Sequence, residues 1–172
     1  LPVTPVTDLR VHRKDLVIST QGRAFWILDD VAPLHQISRS VETADLYLFE
    51  PRVAYRGGYQ GGARINYYVG NMSAGEVMLE ILDEGGELLR TFKGTPGEEA
   101  DSVASVREAR ELKLGVAEGL NTLVWNLRGE ALETDIHQHL LEDETGKAHV
   151  AGTPGLAVVP GRYQVRLSVG EW

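Results

Sequence analysis

The chain of 172 residues contains no cysteine. That excludes a disulfide, a cysteine–zinc site, an iron–sulfur cluster and a thiol nucleophile, although it leaves the compartment open. Long hydrophobic runs are missing too: none approaches the ~20 residues of a membrane-spanning helix, so no such span is expected. Positive charge is scarce. Lys and Arg number 17 against 25 Asp and Glu, giving a formal net charge of -8. A phosphate backbone needs a basic face, so nucleic acid is not an expected partner. The first residue is Leu1, and no charged-then-apolar leader follows it. The expectation is a processed product or a piece of a longer chain, with part of the function lying outside it.

What is present is ordinary globular material. Hydrophobic residues make up 42% and charged residues 24%, which argues against a disordered or collagen-like chain. The length suits one domain, or one domain with an appendage. The pattern is that of strands in two unequal parts.

The first part is read as residues 1–37. Val6, Leu9 and Val11 form a short, imperfect strand pattern. Asp15 to Thr20 is a β-branched run, Gln21-Gly22-Arg23 a turn, and Ala24 to Leu28 a second run stopped by Asp29-Asp30. Two apolar runs across a glycine turn predict a β-hairpin. Both runs are nearly continuous in apolar residues and want cover on each face. A lone hairpin is marginal in water, so this piece needs something to pack against. Residues 38–45 read as a short polar linker.

The second part, residues 46–172, alternates more cleanly. Leu46 to Phe49 precedes Pro51, and Tyr55 to Gly62 holds four glycines and reads as a loop. Ile65, Tyr67 and Val69 share a face, as do Val77, Leu79 and Ile81. Asp83-Glu84-Gly85-Gly86 is the turn of a hairpin returning through Leu88 to Phe92. Leu123, Trp125 and Leu127 share a face, and Tyr163, Val165, Leu167 and Val169 share another. Such alternation predicts an antiparallel, immunoglobulin-like β-sandwich, all-β in class. Trp125 and Tyr163 are expected in its core, with Trp26 filling a gap in the hairpin or lying against the sandwich. Ser105 and Glu108 fit a capping box, so a short helix is expected near 101–112. Residues from about 130 to 153 read as a polar, acidic excursion.

The run Asp15 to Ile37 resembles the closing blade of BNR-repeat, sortilin-like β-propeller proteins, many labelled glycosyl-hydrolase-like. The segments Leu48 to Arg56, Gly62 to Val69, Val77 to Phe92, Gly119 to Arg128 and Pro160 to Gly170 resemble the sandwich that follows it. The resemblance is weakest over 95–118 and 130–152. It implies last propeller strands joined to an immunoglobulin-like sandwich, an upstream propeller in the same chain as partner, and export as the favoured compartment. The Ser-x-Asp-x-Gly-x-Thr-Trp box of those repeats is missing from these residues.

Candidate chemistry is sparse. His137 and His139, two apart on a strand, would share a face near Glu133, Asp135, Glu142 and Asp143. Two imidazoles and a carboxylate suit a divalent metal; a solvated acidic loop accounts for the same residues. Asp29-Asp30, Asp83-Glu84 and Glu98-Glu99 are paired acids, but sequence neighbours on a strand point to opposite faces and do not span a sugar as a glycosidase pair must. No Gly-x-Ser-x-Gly elbow or phosphate loop is present. Asn71-Met72-Ser73 fits a glycosylation sequon. Tyr55 and Tyr59 flank the glycine loop and could stack on a sugar; ordinary strand packing is the competing account of the tyrosines. No cofactor is expected. The leading expectation is a non-catalytic accessory sandwich that braces a propeller or binds a glycan or protein. The alternatives are a carbohydrate-binding module using Tyr55 and Tyr59, part of a glycosyl-hydrolase-like enzyme, and a metal-binding hydrolase using His137 and His139.

Overall fold

The computed structural model describes residues 3–56, 62–72, 75–97, 114–130, 141–142, 148–149 and 155–170. The chain divides into two compact units, Leu1–Glu42 and Thr43–Trp172.

The first unit is a three-stranded antiparallel meander of β1 (Val6–His12), β2 (Asp15–Thr20) and β3 (Phe25–Leu28), in that order. The expected hairpin is β2–β3, and β1 adds a third strand. Arg13 and Lys14 close β1 onto β2 with φ of 50° and 69°. Two successive positive values match the right-handed twist of the strands, a geometry that usually recruits Asn or Gly. A 3-10 turn (Pro33–His35) and a single helical turn, α1 (Arg39–Glu42), follow. The helical turn falls inside the stretch read as linker.

The second unit is a sandwich. One sheet has the order β4 (Leu46–Leu48), β5 (Ala63–Val69), β8 (Gly119–Trp125). The other has the order β11 (Gln164–Val169), β6 (Val77–Leu82), β7 (Leu88–Gly94). In immunoglobulin lettering these are A-B-E and F-C-C′. β9 (Leu141–Glu142) and β10 (Ala148–His149) form a separate two-stranded pair. The helix expected near 101–112 lies outside the described residues.

Alternation explains the core. Ile65, Tyr67 and Val69 of β5 face Val77, Leu79 and Ile81 of β6, joined by Phe92, Leu123 and Trp125. Leu114 and Val116 are equally buried, although they belong to no strand. Their segment lies along β7: Leu114 donates its N–H to Lys93 O at 3.2 Å, and Tyr67 Oη donates to Gly115 O at 2.5 Å. Gly94 permits this approach, because a Cβ there would sit 2.0 Å from Leu114 O.

The strand expected to run through Leu127 ends at Trp125. Leu127 adopts φ 58°, and the chain then crosses to the opposite sheet, where Glu130 N–H bonds Leu89 O at 2.9 Å. A left-handed residue reverses the side-chain alternation, so the period-2 pattern cannot extend past it.

Candidate functional site

The register of the meander sorts its side chains. Directly opposed residues point to the same face. Val11, Leu16 and Leu28 therefore make one row, and Leu9, Ile18 and Trp26 the next. Six apolar side chains form one continuous face, with Val6 beside Thr20 extending it past a bulge at Thr7. Leu9, Val11, Trp26 and Leu28 remain 41–65% exposed. The opposite face is mixed: Phe25, Ile27 and Val17 lie beside Ser19, Asp8 and Arg10. Covering a Leu, Ile or Val of this kind contributes roughly 1.5–3 kcal/mol. An open patch of this extent is a place for another surface.

Trp26, expected to fill a gap in the hairpin or to lie against the sandwich, stands on this apolar face. Its indole N–H is held by Arg23 O at 2.9 Å, within its own turn. It remains 41% exposed.

The paired acids serve turns. Asp15 Oδ1 accepts the N–H of Asp30 at 3.0 Å, and Asp30 Oδ1 accepts the N–H of Ala32 at 3.2 Å. Asp30 itself adopts φ 59°. These bonds fix the chain's exit from β3. Asp83 Oδ1 likewise accepts the Glu87 N–H at 2.8 Å in the β6–β7 hairpin. Glu98 and Glu99 lie outside the described residues.

Tyr55 is 77% exposed at the rim of the glycine loop. Tyr59, Ser73 of the sequon, and His137 and His139 with Glu133, Asp135 and Asp143 lie outside the described residues. For His149 and Glu142 only their strand pairing is described. Among the described residues, no three His, Cys, Asp or Glu side chains come together to hold a metal.

Sequence reasoning missed one polar grouping. Arg90 points inward from β7 on the side of Phe92, with its guanidinium 4.8 Å from that ring's centre. Its Nη1 donates to Asn126 Oδ1 at 3.0 Å. Burial lowers its pKa, while the Glu130 carboxylate acts in the opposite direction; a guanidinium stays charged under either influence. Neighbouring Arg128 donates to Gly155 O at 3.0 Å, and Trp125 donates to Arg128 O at 2.7 Å. The cluster ties the β8 exit to β7. Its only signal in the sequence is an Arg at an inward position of an alternating run.

No family model, curated protein or solved structure matches the chain.

Proposed function

We propose that the chain is a non-catalytic accessory module, in which the sandwich is a self-sufficient brace and the meander is the outer part of a sheet that packs against further sheets. The observation that carries this is the meander's continuous apolar face of Val11, Leu16, Leu28, Leu9, Ile18 and Trp26, built by register and left open. A three-stranded meander that needs cover fits a propeller blade, which has four strands and lies between neighbouring blades. The resemblance to BNR-repeat, sortilin-like proteins supplies the same reading from short sequence segments. The polar side chains described above are engaged in turns and strand exits, which suits a scaffold better than a reaction site.

The test is the sequence encoded upstream of Leu1 in the gene. Repeated units carrying the Ser-x-Asp-x-Gly-x-Thr-Trp box are the expected result. Their absence overturns the propeller assignment. Turnover of a glycoside by the purified chain, abolished by a point change within it, overturns the non-catalytic part. The carbohydrate-binding alternative keeps one supporting observation, the exposure of Tyr55. Binding on a broad glycan panel, lost in Tyr55→Ala, would favour it.

A further inference from the structure

Strand β11 has one edge in a ladder with β6, and among the described residues no strand pairs with the other, although β4 passes close to it. Gly170 donates its N–H to Glu76 O at 2.8 Å. Antiparallel alternation then assigns the backbone groups of Gln164, Arg166 and Ser168 to β6. Those of Val165, Leu167 and Val169 point away from the sheet. Among the described residues, no backbone bond outside the β6 ladder takes them up.

Two of the three other edges of the sandwich are managed differently, while β8 likewise has no ladder on its outer side among the described residues. β7 is covered by Leu114 and Glu130, and β4 is only three residues long, ahead of Pro51. β11 has neither proline nor bulge, and its six pairs with β6 are regular. Its one charge, Arg166, is bonded to Glu80 Oε2 across the ladder at 2.7 Å. Proteins ordinarily protect an exposed edge with a charge, a proline or a bulge.

The core is also thin on this side. Val169 shares the inward side of Val165 and Leu167, yet it is 43% exposed. Val165, Leu167 and, on β4, Leu46 and Leu48 are only partly buried. On the adjacent β6, Val77, Leu79 and Ile81 are at 0%. In the A-B-E and F-C-C′ arrangement the place beside β11, where no described strand pairs, is that of strand G, antiparallel to F.

We propose that this place is filled by β11 of a second copy of the chain, the two related by a twofold axis through Leu167. The sequence is self-complementary about that residue. Leu167 meets Leu167, and Val165 of one copy meets Val169 of the other, so every outward-directed N–H and C=O finds a partner. On the outer face Arg166 meets Ser168, which is itself buried, and Gln164 meets Gly170, so no like charges oppose one another. The inward valines and leucines of both copies join into one apolar row, covering Val169. The second strand runs in the direction strand G requires. The contact uses one patch on both copies, as a twofold interface must, and adds a strand to an open sheet edge. It does not depend on the propeller reading.

The test is the mass of the full chain in solution by sedimentation. A dimer is expected, at twice the 18.9 kDa of the chain. Val169→Lys places an inward charge on the half-exposed edge and is expected to return the mass to 18.9 kDa. Leu9→Glu, on the meander, is expected to leave the dimer intact. The register has its own readout, because the chain has no other thiol. Arg166→Cys mixed with Ser168→Cys should form a disulfide between copies, since opposed non-hydrogen-bonded residues lie about 4.5 Å apart. A monomeric native chain overturns the proposal, as does a folded Val169→Lys dimer. Loss of the dimer in Leu9→Glu overturns it in favour of a meander contact. Should Val169→Lys fail to fold, the mixed cysteine variants decide: a disulfide supports the interface and its absence overturns it.

Discussion

The ring of Tyr163 stands edge-on to the indole of Trp125, with centroids 5.4 Å apart and planes at 73°. The pair joins β8 of one sheet to the start of β11 in the other. Each ring also fastens a loop by its polar end: Trp125 through Arg128 O, and Tyr163 through the carbonyl oxygen of Val159, four residues back. A tyrosine bonding its own upstream backbone at a strand's start is the tyrosine corner of immunoglobulin-type sandwiches. Trp125→Ala should cost about 3–5 kcal/mol and leave a marginal sandwich unfolded. Tyr163→Phe keeps the ring contact and should cost about 1 kcal/mol. Urea midpoints measure both, and equal losses would contradict this division of roles.

Burial pushes the Tyr67 phenol above its ordinary value of 10.0. The unfolded chain ionises near 10.0 while the folded chain holds the proton. The resulting stabilisation is complete below that pH and is lost as pH rises past it towards the folded value. Tyr67→Phe removes the bond to Gly115 O and should cost about 1–2 kcal/mol at neutral pH. It should also flatten the alkaline decline. Urea midpoints of both proteins across the alkaline range provide the comparison, and parallel curves would show that Tyr67 does not titrate on unfolding.

Gly94→Ala forces a methyl group against the Leu114 carbonyl, a backbone atom that cannot rotate away. The extended segment carrying Leu114 and Val116 must then move off β7. Overpacking of this kind costs about 1–3 kcal/mol. Thermal unfolding should show the loss, and amide exchange should quicken at Leu114, whose N–H bonds Lys93 O. A variant as stable as the parent would mean that the segment is not anchored there.

Lys14 holds a positive φ of 69° without being glycine. Left-handed backbone costs an ordinary residue roughly 1–2 kcal/mol. Lys14→Gly should recover part of that and slow amide exchange across the β1–β2 ladder. Lys14→Ala should recover nothing. Faster exchange in the glycine variant would mean that the turn is unstrained.

The alternation of β5 and β6 made their inward residues legible at once, because one face of each strand is wholly buried. Trp125 was legible for the same reason. Leu114 and Val116 were not, although they are as buried as any strand residue. They reach the core from an extended segment with no period of its own, admitted by the missing Cβ of Gly94. The meander's strands could be read, but its sidedness could not. Ile18 and Val17 look equivalent in sequence, and only pairing with Leu9 and Trp26 places Ile18 on the apolar face. The open β11 edge was hidden because edge position depends on sheet order, which local pattern does not encode. Val169 continues a good alternation and gives no sign that, among the described residues, no strand pairs on its other side.

The crossing at Leu127 has a mechanical consequence. The peptide that leaves β8 joins β7 within a few residues, so a single stretch of backbone belongs to both sheets. Pulling one sheet along the other should load Leu127 and the Arg90–Asn126 bond beside it before the core can shear. The corner works as a rivet, and a force-bearing sandwich of this design should yield first at the opposite margin, where β4 and β11 share no ladder.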